Sequence, residues 1–334
     1  MIIFFDPKSG RGGGQVVLED LLGRLVPRGP VGLVMPAAGR EAITVPEGVQ
    51  HWLTPSALVD GPPPGPMVLV SNANASLPQV WRAARALRAR GMAVRTAAIV
   101  HNYPSDRLKG TATLALLRAM EVAIVVEPGL CSLRADSVVP AWLSVTPRTT
   151  VADHRDGITA TRVVKSYARP DPTKGMHLLP EVFGQLTADG LRCEVALGQA
   201  LDGQVSYEQM LRDVLRPWLV DGRRTPDWID PGDVFVVPSV SGEAACLAAQ
   251  EAMSGGAFVV ASRLGLMPYL SPGNTGVRTF PVGDTGRAVA EIRDALALSP
   301  ADWSAACLDN VATITSRAGR WQEQTVALLE GLAG

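Results

Sequence analysis

Two glutamates separated by seven residues stand in the segment PSVSGEAACLAAQEAMSGG, residues 238–256. Glu243 and Glu251 belong to an alanine-rich stretch that predicts a helix between two valine-rich strands. Eight helical residues rise about 12 Å and turn through about 80°, so we expect Glu243 at or just before the helix start and Glu251 two turns along the same side. Carboxylates accept hydrogen bonds from sugar hydroxyls. The spacing therefore fits a nucleotide-sugar, with a hexose at one end and a ribose at the other; exposed glutamates of an ordinary helix are the alternative.

Two cations follow the first predicted strand of the second half of the chain, in the segment ARPDPTKGM. Arg169 and Lys174 lie in a strand-end loop that leads through Gly175 into a helix. Paired cations can neutralise a diphosphate, and an arginine can do so with two parallel hydrogen bonds. The alternative is a solvated basic loop. Together with the glutamates, this loop predicts a site for a sugar joined to a diphosphate.

A glycine-rich turn, Gly10-Arg-Gly-Gly-Gly14, separates the first strand from the first helix. It does not match the dinucleotide fingerprint, because Gln15 stands at the third glycine position, and no GK[ST] follows as in a P-loop. What remains is a flexible turn whose backbone N–H groups, Gly13 and Gly14 included, can receive an anion at a helix start. A plain tight turn is the alternative. Later in this half, the strand VRTAAIV ends at His101, a position from which a side chain can reach a ligand; a structural histidine is the alternative there.

The order of predicted elements defines the fold class. Strands alternate with helices in both halves, which predicts parallel, doubly wound sheets. We place one Rossmann-like domain at residues 1–150 and a second at 151–334, with a linker near 140–162 and a C-terminal helix that can pack back on the first domain. Such sheets bind ligands beyond the carboxyl ends of their strands, so the expected site is a central cleft between the domains.

Composition and charge limit the classes of partner. The chain has 334 residues, of which 47% are hydrophobic and 19% charged, and its net charge is −1. This balance argues against a nucleic-acid binder, which would be strongly basic. Residues 1–150 carry 15 basic and 10 acidic side chains, and the remainder carries 16 and 22, so the two halves differ in sign. Four widely spaced cysteines and no apolar run long enough to span a bilayer predict a cytoplasmic protein with reduced thiols.

The ordered motifs of the second half resemble the donor domain of retaining GT-B glycosyltransferases, the large bacterial family with the E-x7-E motif. Members carry an arginine and a Lys-Gly pair in one loop, then PS-x-x-E, a second glutamate, EAM-x-x-G, a VVAS strand and a glycine-proline turn. The corresponding residues here are Arg169, Lys174-Gly175, Pro238-Ser239, Glu243, Glu251-Ala-Met253, Val259–Ser262, Gly265–Pro268 and Gly273–Gly276. The first half resembles the acceptor domain more weakly, through its glycine-rich opening and the strand ending at His101.

The resemblance implies a role for each matched residue. Arg169 and Lys174 would hold the donor diphosphate and stabilise the leaving nucleotide, Glu243 would bind the transferred sugar and Glu251 the ribose. His101 would lie near the sugar or the acceptor. The implied catalytic residues are thus His101, Glu243, Arg169 and Lys174. The implied donor-binding residues are Gly13, Gly14, Arg169, Lys174, Glu243, Ala244, Ala245, Cys246, Leu247 and Glu251. No Asp-x-Asp pair occurs, which fits transfer without a metal or other cofactor, from a nucleoside-diphosphate sugar to an unidentified acceptor hydroxyl.

Departures from the family pattern keep other functions open. The usual E-G-F-G is Glu243-Ala244-Ala245-Cys246, the second glycine of the later turn is Leu266, and Tyr269 replaces a glutamate. These changes alter the wall around the sugar and leave room for reduced or lost catalysis. The alternatives are a nucleotide-sugar-binding GT-B protein without turnover, and another GT-B enzyme such as a sugar epimerase or phosphorylase.

An arginine-rich helix in the first half raises the question of a membrane. WRAARALR places Arg82, Arg85 and Arg88 at intervals of three. The simpler interpretation is that these arginines form a solvated face of the helix. The more specific one is that they attract an anionic membrane or acceptor. A peripheral membrane contact through the first domain therefore stays open, and the oligomeric state is not predicted.

Overall fold

The computed structural model describes residues 1–8, 13–41, 43–101, 107–125, 162–200, 203–222, 228–241, 243 and 246–334. The chain divides into two compact units. The first comprises Met1–Ser144 together with Gly319–Gly334, and the second comprises Val145–Ala318. The predicted linker and the boundary between residues 150 and 151 lie outside the described residues and stay predictions.

The first unit is built on a six-stranded parallel sheet in the order β3-β2-β1-β4-β5-β6. Its strands are β1 (Ile2–Phe5), β2 (Val31–Val34), β3 (Gln50–Trp52), β4 (Met67–Ser71), β5 (Val94–Val100) and β6 (Val122–Val125). Its described helices before the C-terminus are α1 (Gly13–Leu25), α2 (Ala37–Glu41), α3 (Pro55–Asp60), α4 (Leu77–Ala89) and α5 (Arg107–Arg118). Strand β3 was not predicted, because a three-residue edge strand in a polar stretch gives almost no periodic signal.

The second unit repeats the architecture with a five-stranded parallel sheet in the order β11-β10-β9-β7-β8. Its strands are β7 (Val164–Ala168), β8 (Cys193–Leu197), β9 (Val234–Val237), β10 (Phe258–Ser262) and β11 (Val277–Phe280). The described helices are α6 (Leu179–Ala188), α7 (Val205–Leu215), α8 (Leu247–Ser254), α9 (Met267–Leu270), α10 (Thr285–Leu296) and α11 (Pro300–Ala333). The last residues of α11 belong to the first unit.

Hydrophobic patterning explains both sheets. Central strands such as β9 and β10 are buried along their whole length, and their valine-rich sequences are typical of strands covered by helices on both faces. The amphipathic helix α4 buries Leu77, Val80, Ala84 and Leu87, a spacing that defines one face of a helix. Two parallel α/β domains are therefore present, which confirms the predicted fold class.

Candidate functional site

Two loops of the second unit are joined at the carboxyl ends of neighbouring strands. Strands β7 and β9 pair in parallel, so the loops that follow them emerge at the same edge of the sheet. The carbonyl oxygen of Thr173, in the first loop, accepts hydrogen bonds from the backbone N–H groups of Val240 (2.8 Å) and Ser241 (3.2 Å) in the second. These contacts hold the segment with Arg169 and Lys174 against the segment with Glu243.

Gly175 permits this close approach. Its backbone is left-handed, with φ of 65°, at the end of a short 3-10 turn formed by Pro172–Lys174. A Cβ atom at this position would lie 1.9 Å from the carbonyl oxygen of Pro238, far inside any allowed contact. Only glycine satisfies both conditions, so Gly175 determines where the Lys174 side chain leaves the loop.

Lys174 and Glu243 form the centre of the candidate site. Lys174 Nζ lies 2.9 Å from Glu243 Oε2, and the Ser239 hydroxyl donates to the same oxygen at 2.6 Å. Burial lowers the pKa of Lys174, but the charge and the hydrogen bond of Glu243 outweigh burial, so the pKa is raised above its usual value. The ammonium group is therefore charged at neutral pH and available to an anion.

Glu243 keeps part of its hydrogen-bonding capacity. Its side chain is 9% exposed, and both contacts in the described part of the chain go to Oε2. A carboxylate oxygen can accept about two hydrogen bonds. Oε1 is thus the atom with which Glu243 can bind a ligand hydroxyl while its partners hold the carboxylate in place.

Arg169 directly follows β7 and is partly buried. Its guanidinium forms no ion pair or hydrogen bond with the residues described. The nearby carboxylate of Asp171 is occupied by Thr173, whose N–H and hydroxyl donate at 2.9 and 2.7 Å, and by Gln204 at 3.2 Å. Burial raises the pKa of Asp171, but these hydrogen bonds and the nearby charge of Arg169 outweigh burial and lower it. Asp171 therefore shapes the loop and attracts Arg169 without pairing with it, so the guanidinium keeps its hydrogen-bond donors for an anion.

Cys246 terminates the loop after β9 in an unusual backbone conformation. Among the described residues, Cys246 is the one residue other than glycine that has a positive φ; its φ is 48° and its ψ is 66°. A Cβ is disfavoured in this left-handed conformation, which is the kind of position that glycine usually occupies. Burial raises the pKa of the thiol, and the negative charge of Glu243 adds to the effect. The thiol is therefore neutral at physiological pH, which makes it a packing group rather than a nucleophile.

Helix α8 begins at Leu247, directly after Cys246. Glu243 thus lies four residues before the helix, and the expected helical offset of about 12 Å does not apply to the two glutamates. Glu251 lies in the second turn of α8, and its charge contributes to the raised pKa of Cys246. Ala244 and Ala245 lie outside the described residues, so their predicted role in donor binding stays a prediction. Leu266 is fully buried.

The first unit contains a second polar cluster, at the ends of three adjacent strands. Asp6, Asn72 and His101 directly follow β1, β4 and β5. Asn72 Nδ2 donates to Asp6 Oδ2 at 2.7 Å and to the Gly14 carbonyl at 3.1 Å, and His101 Nε2 lies 3.1 Å from Asn72 Oδ1. Gln15 Nε2 also donates to Asp6, at 2.8 Å. The cluster joins His101 to the start of α1, where Gly13 and Gly14 lie.

The His101 ring is neutral at physiological pH. Burial lowers its pKa to about 4, the positive charge of Lys8 contributes, and hydrogen bonding to Asn72 opposes the shift only in part. Gly14 lies against this ring, since a Cβ on Gly14 would be 3.3 Å from His101 Cδ2. A neutral imidazole offers one donor and one acceptor, which suits contact with a hydroxyl.

Several residues of these clusters were not predicted. Sequence reasoning missed Asp6, Asn72, Asp171, Ser239 and Gly198. Asp6 and Asn72 carry the same signal as His101, a polar residue directly after a buried strand. Ser239 was noted only as part of a motif, although it binds Glu243. Gly198 shows no local signal; a Cβ there would lie 2.9 Å from the Tyr167 hydroxyl and 3.4 Å from Arg169 Cγ.

The sequence of the second unit matches a known family. Residues 162–297 match the model of the family described as Glycosyl transferases group 1. This part of the chain is therefore similar to glycosyltransferase group 1 domains, which agrees with the predicted resemblance at that level. The match includes Arg169, Lys174, Glu243 and Glu251. No curated protein matches the sequence.

Solved structures of glycosyltransferases share the fold over nearly the whole chain. HepE of Anabaena, in complex with UDP and glucose, aligns with a TM-score of 0.78 at 18% identity, covering 99% of both chains. Sucrose-phosphate synthase of Thermosynechococcus elongatus aligns at 0.72 and 17% identity, covering 99% of this chain and 98% of the other. A UDP-forming α,α-trehalose-phosphate synthase of Burkholderia vietnamiensis aligns at 0.72 and 13%, covering 99% of each. These similarities establish the GT-B fold of this chain.

Among the described residues, no helix combines the length and the apolar character needed to cross a membrane.

Proposed function

We propose that this protein is a glycosyltransferase that moves a hexose from a nucleoside-diphosphate sugar to an acceptor hydroxyl, with retention of anomeric configuration. The observation that carries the proposal is the contact between Lys174 and Glu243, with Arg169 near them at the same sheet edge. A cation pair for a diphosphate and an oriented carboxylate for sugar hydroxyls are thus held together by one set of loops. This arrangement favours a ligand site over a solvated basic loop.

The comparisons support a uridine nucleotide as the first donor to test. Residues 162–297 match Glycosyl transferases group 1. The Anabaena structures contain UDP, UDP with glucose, and UDP-glucose. The base and the sugar that this chain uses remain part of the proposal, and UDP-glucose is the first compound in the panel below.

The side chains of the candidate site have different roles in donor binding and transfer. Arg169 and Lys174 bind the diphosphate and stabilise the charge that develops on it as the sugar leaves. Such preorganised contacts typically contribute about 10²–10³ in rate each. With two cations in this role, transfer does not require a divalent metal. Glu243 accepts hydrogen bonds from the sugar hydroxyls through Oε1, and Glu251 binds the ribose hydroxyls from α8.

Retention without an enzymic nucleophile requires attack on the same face as departure. We therefore propose that the acceptor hydroxyl attacks the anomeric carbon as its bond to the phosphate oxygen breaks. The departing phosphate oxygen takes the acceptor proton. The new glycosidic bond replaces the bond to the nucleoside diphosphate, so atoms and charge balance without a covalent intermediate.

The test is a donor panel followed by product analysis. Thermal shift measurements with nucleoside diphosphates and their sugars identify the base, because a ligand of the native state raises the melting temperature. Transfer or slow donor hydrolysis is then followed in the presence of EDTA, and NMR defines the anomeric configuration of the product. An inverted product would contradict retention, and loss of activity in EDTA would contradict metal independence.

The same experiment distinguishes two alternative functions. The departures at Ala244, Leu266 and Tyr269 favour a GT-B protein that binds a nucleotide-sugar without turnover, and this alternative predicts binding with neither transfer nor hydrolysis. A sugar epimerase or phosphorylase predicts a changed donor sugar, or phosphate-dependent product formation, in the absence of an acceptor.

We further propose a peripheral contact with anionic membranes through α4. Arg82 and Arg85 are exposed, Trp81 is 38% exposed, and the Arg85 guanidinium lies 5.6 Å from the centre of the Trp81 ring. Arg88 does not join them, because it binds the Val94 carbonyl and pairs with Glu121 at 2.8 Å. Helix α4 contains no acidic residue, so its exposed side favours a negative surface.

Co-sedimentation with lipid vesicles tests this contact. The wild type should bind vesicles rich in phosphatidylglycerol more than pure phosphatidylcholine vesicles, and added salt should weaken binding. Arg82→Glu/Arg85→Glu should abolish the difference. Arg40→Glu/Arg216→Glu changes the net charge equally at exposed positions elsewhere and should retain it. Equal binding by both double variants would contradict the proposal.

A further inference from the structure

The hydrogen bonds between Asp6, Asn72 and His101 have a defined direction. A carboxylate such as Asp6 only accepts hydrogen bonds, so the group of Asn72 that faces it must be the amide nitrogen. Asp6 also accepts from the Lys8 backbone N–H at 3.1 Å and from Gln15 at 2.8 Å. The second hydrogen of Asn72 Nδ2 goes to the Gly14 carbonyl at 3.1 Å, again an acceptor.

The orientation of the Asn72 amide then determines the proton position on His101. Both hydrogens of Nδ2 are used, and Oδ1 therefore faces the ring, 3.1 Å from Nε2. Oδ1 can only accept. His101 Nε2 must carry the proton that is donated to it, and in a neutral ring Nδ1 is then unprotonated.

We propose that Asn72 and Asp6 are positioning residues, which hold His101 as the neutral tautomer protonated at Nε2 and leave Nδ1 as a hydrogen-bond acceptor for a substrate hydroxyl. The role in catalysis rests on the proposed glycosyl transfer, whereas the tautomer is a property of the free protein. Asp6 and Asn72 are 0% and 1% exposed, so water does not compete for these hydrogen bonds.

A purely structural role for the same residues is the alternative, since buried hydrogen-bonded groups stabilise a fold. The nearby Ser71 offers a matched control. It is the last residue of the strand that Asn72 follows, it is equally buried, and its hydroxyl donates to the Ala73 carbonyl and lies 2.7 Å from the Ser76 hydroxyl. None of these hydrogen bonds reaches His101. Ser71→Ala should lower stability without affecting His101. Substitutions of the positioning residues Asn72 and Asp6 should in addition change the tautomer of the His101 ring.

Nitrogen-15 NMR of the histidine ring in the free protein tests the tautomer. At pH 7 the wild-type His101 should show a protonated Nε2 whose hydrogen exchanges slowly, and an unprotonated Nδ1. Asn72→Leu removes the acceptor, so the Nε2 hydrogen should exchange rapidly and the ring should sample both tautomers. Asp6→Asn allows the Asn72 amide to turn, so its spectrum should lie between those of the wild type and Asn72→Leu. Ser71→Ala should match the wild type.

Transfer kinetics supply the second readout. Removing a hydrogen-bond partner that orients a metal-bound histidine typically costs about 10–100-fold. We expect Asn72→Leu to lower kcat by a factor of the same order, with a smaller change in the donor KM. A ring protonated at Nδ1 in the wild type, or a spectrum unchanged in Asn72→Leu and Asp6→Asn, would overturn the proposal. Because the spectra need no substrate, absence of transfer with every donor would count against the proposed function and not against the tautomer.

Discussion

At the scale of single residues, the candidate site contains an ion pair that is already formed before a donor binds. Lys174 and Glu243 are proposed to hold different parts of the donor, yet in the protein they contact one another at 2.9 Å. Because Ser239 adds a second hydrogen bond to this carboxylate, the carboxylate is oriented in advance. Preorganised charges need no rearrangement when the reaction begins.

Substitutions at this ion pair separate binding from structure. Lys174→Met and Glu243→Gln should each lower the transfer rate by about 10²–10³. Lys174→Met should also lower the free energy of unfolding by about 1–3 kcal/mol, because it leaves the buried Glu243 with only Ser239. The double variant should regain most of this stability without regaining transfer. Urea unfolding and initial rates measure the two effects, and recovered transfer in the double variant would assign the pair a structural role alone.

The lowered pKa of His101 predicts a pH-dependent stability. The pKa is about 4 in the folded protein against an ordinary value of 6.5, so between these values the unfolded chain binds the proton more tightly. The contribution of the neutral His101 ring to the free energy of unfolding is therefore fully present above pH 6.5. It is lost as the pH falls towards 4. The full loss is about 3 kcal/mol, at 1.36 kcal/mol per unit of pKa.

Unfolding measurements at pH 7 and pH 4.5 test this expectation. The wild type should lose about 2–3 kcal/mol more than His101→Gln over this interval. His177→Gln, which changes an exposed histidine of the second unit, should behave like the wild type. An identical pH dependence for wild type and His101→Gln would show that the ring is not held neutral by the fold.

At the scale of elements, the site depends on the loops that follow β7 and β9 rather than on one helix. The Thr173 carbonyl accepts from two N–H groups of the other loop, and the Gly175 backbone packs directly on Pro238. Side chains from loops 69 residues apart in sequence thus meet. A displacement of either loop would separate Lys174 from Glu243.

Two alanine substitutions of left-handed glycines test the loop contact. Gly190→Ala, at φ 82° with open space around the new Cβ, should cost only the backbone preference of about 1 kcal/mol. Gly175→Ala adds a clash with the Pro238 carbonyl and should cost about 3 kcal/mol or more, with loss of nucleotide binding. Urea unfolding and calorimetric titration with UDP compare them. Equal stability and binding in both variants would contradict the role of Gly175.

At the scale of the whole molecule, each unit carries its own parallel sheet, and the chain returns to the first unit at its end. Residues 319–334 of α11 bury Trp321, Val326 and Leu329, and Glu330 pairs with Arg28 at 3.3 Å. The first unit is therefore completed by a segment that is remote in sequence from its other residues.

Truncation tests this arrangement. Deleting residues 319–334 should remove buried side chains from the first unit, so hydrogen exchange of β1–β6 should accelerate while β7–β11 stay protected. Deleting only residues 331–334, none of which is buried, should change neither sheet. Equal loss of protection in both sheets would contradict the division of the chain into these units.

The fold could be predicted from the sequence because its signals are local. Valine-rich runs alternating with amphipathic helices indicate parallel sheets, and the order of motifs from Arg169 to Gly276 indicates a glycosyltransferase domain. A polar residue directly after a buried strand, as at His101, indicates a side chain at the binding edge of a sheet. These features depend only on neighbouring residues, so they can be recognised without coordinates.

Only the tertiary structure decided which side chains meet. Strand β7 lies between β8 and β9, and this order brings Lys174 to Glu243; likewise β1, β4 and β5 are adjacent, which joins Asp6 and Asn72 to His101. The pairing, the neutral state of the His101 ring and the left-handed Cys246 all depend on burial and on contacts between distant segments. Periodicity and motif spacing do not contain that information, because the physical cause is the packing of strands that are remote in sequence.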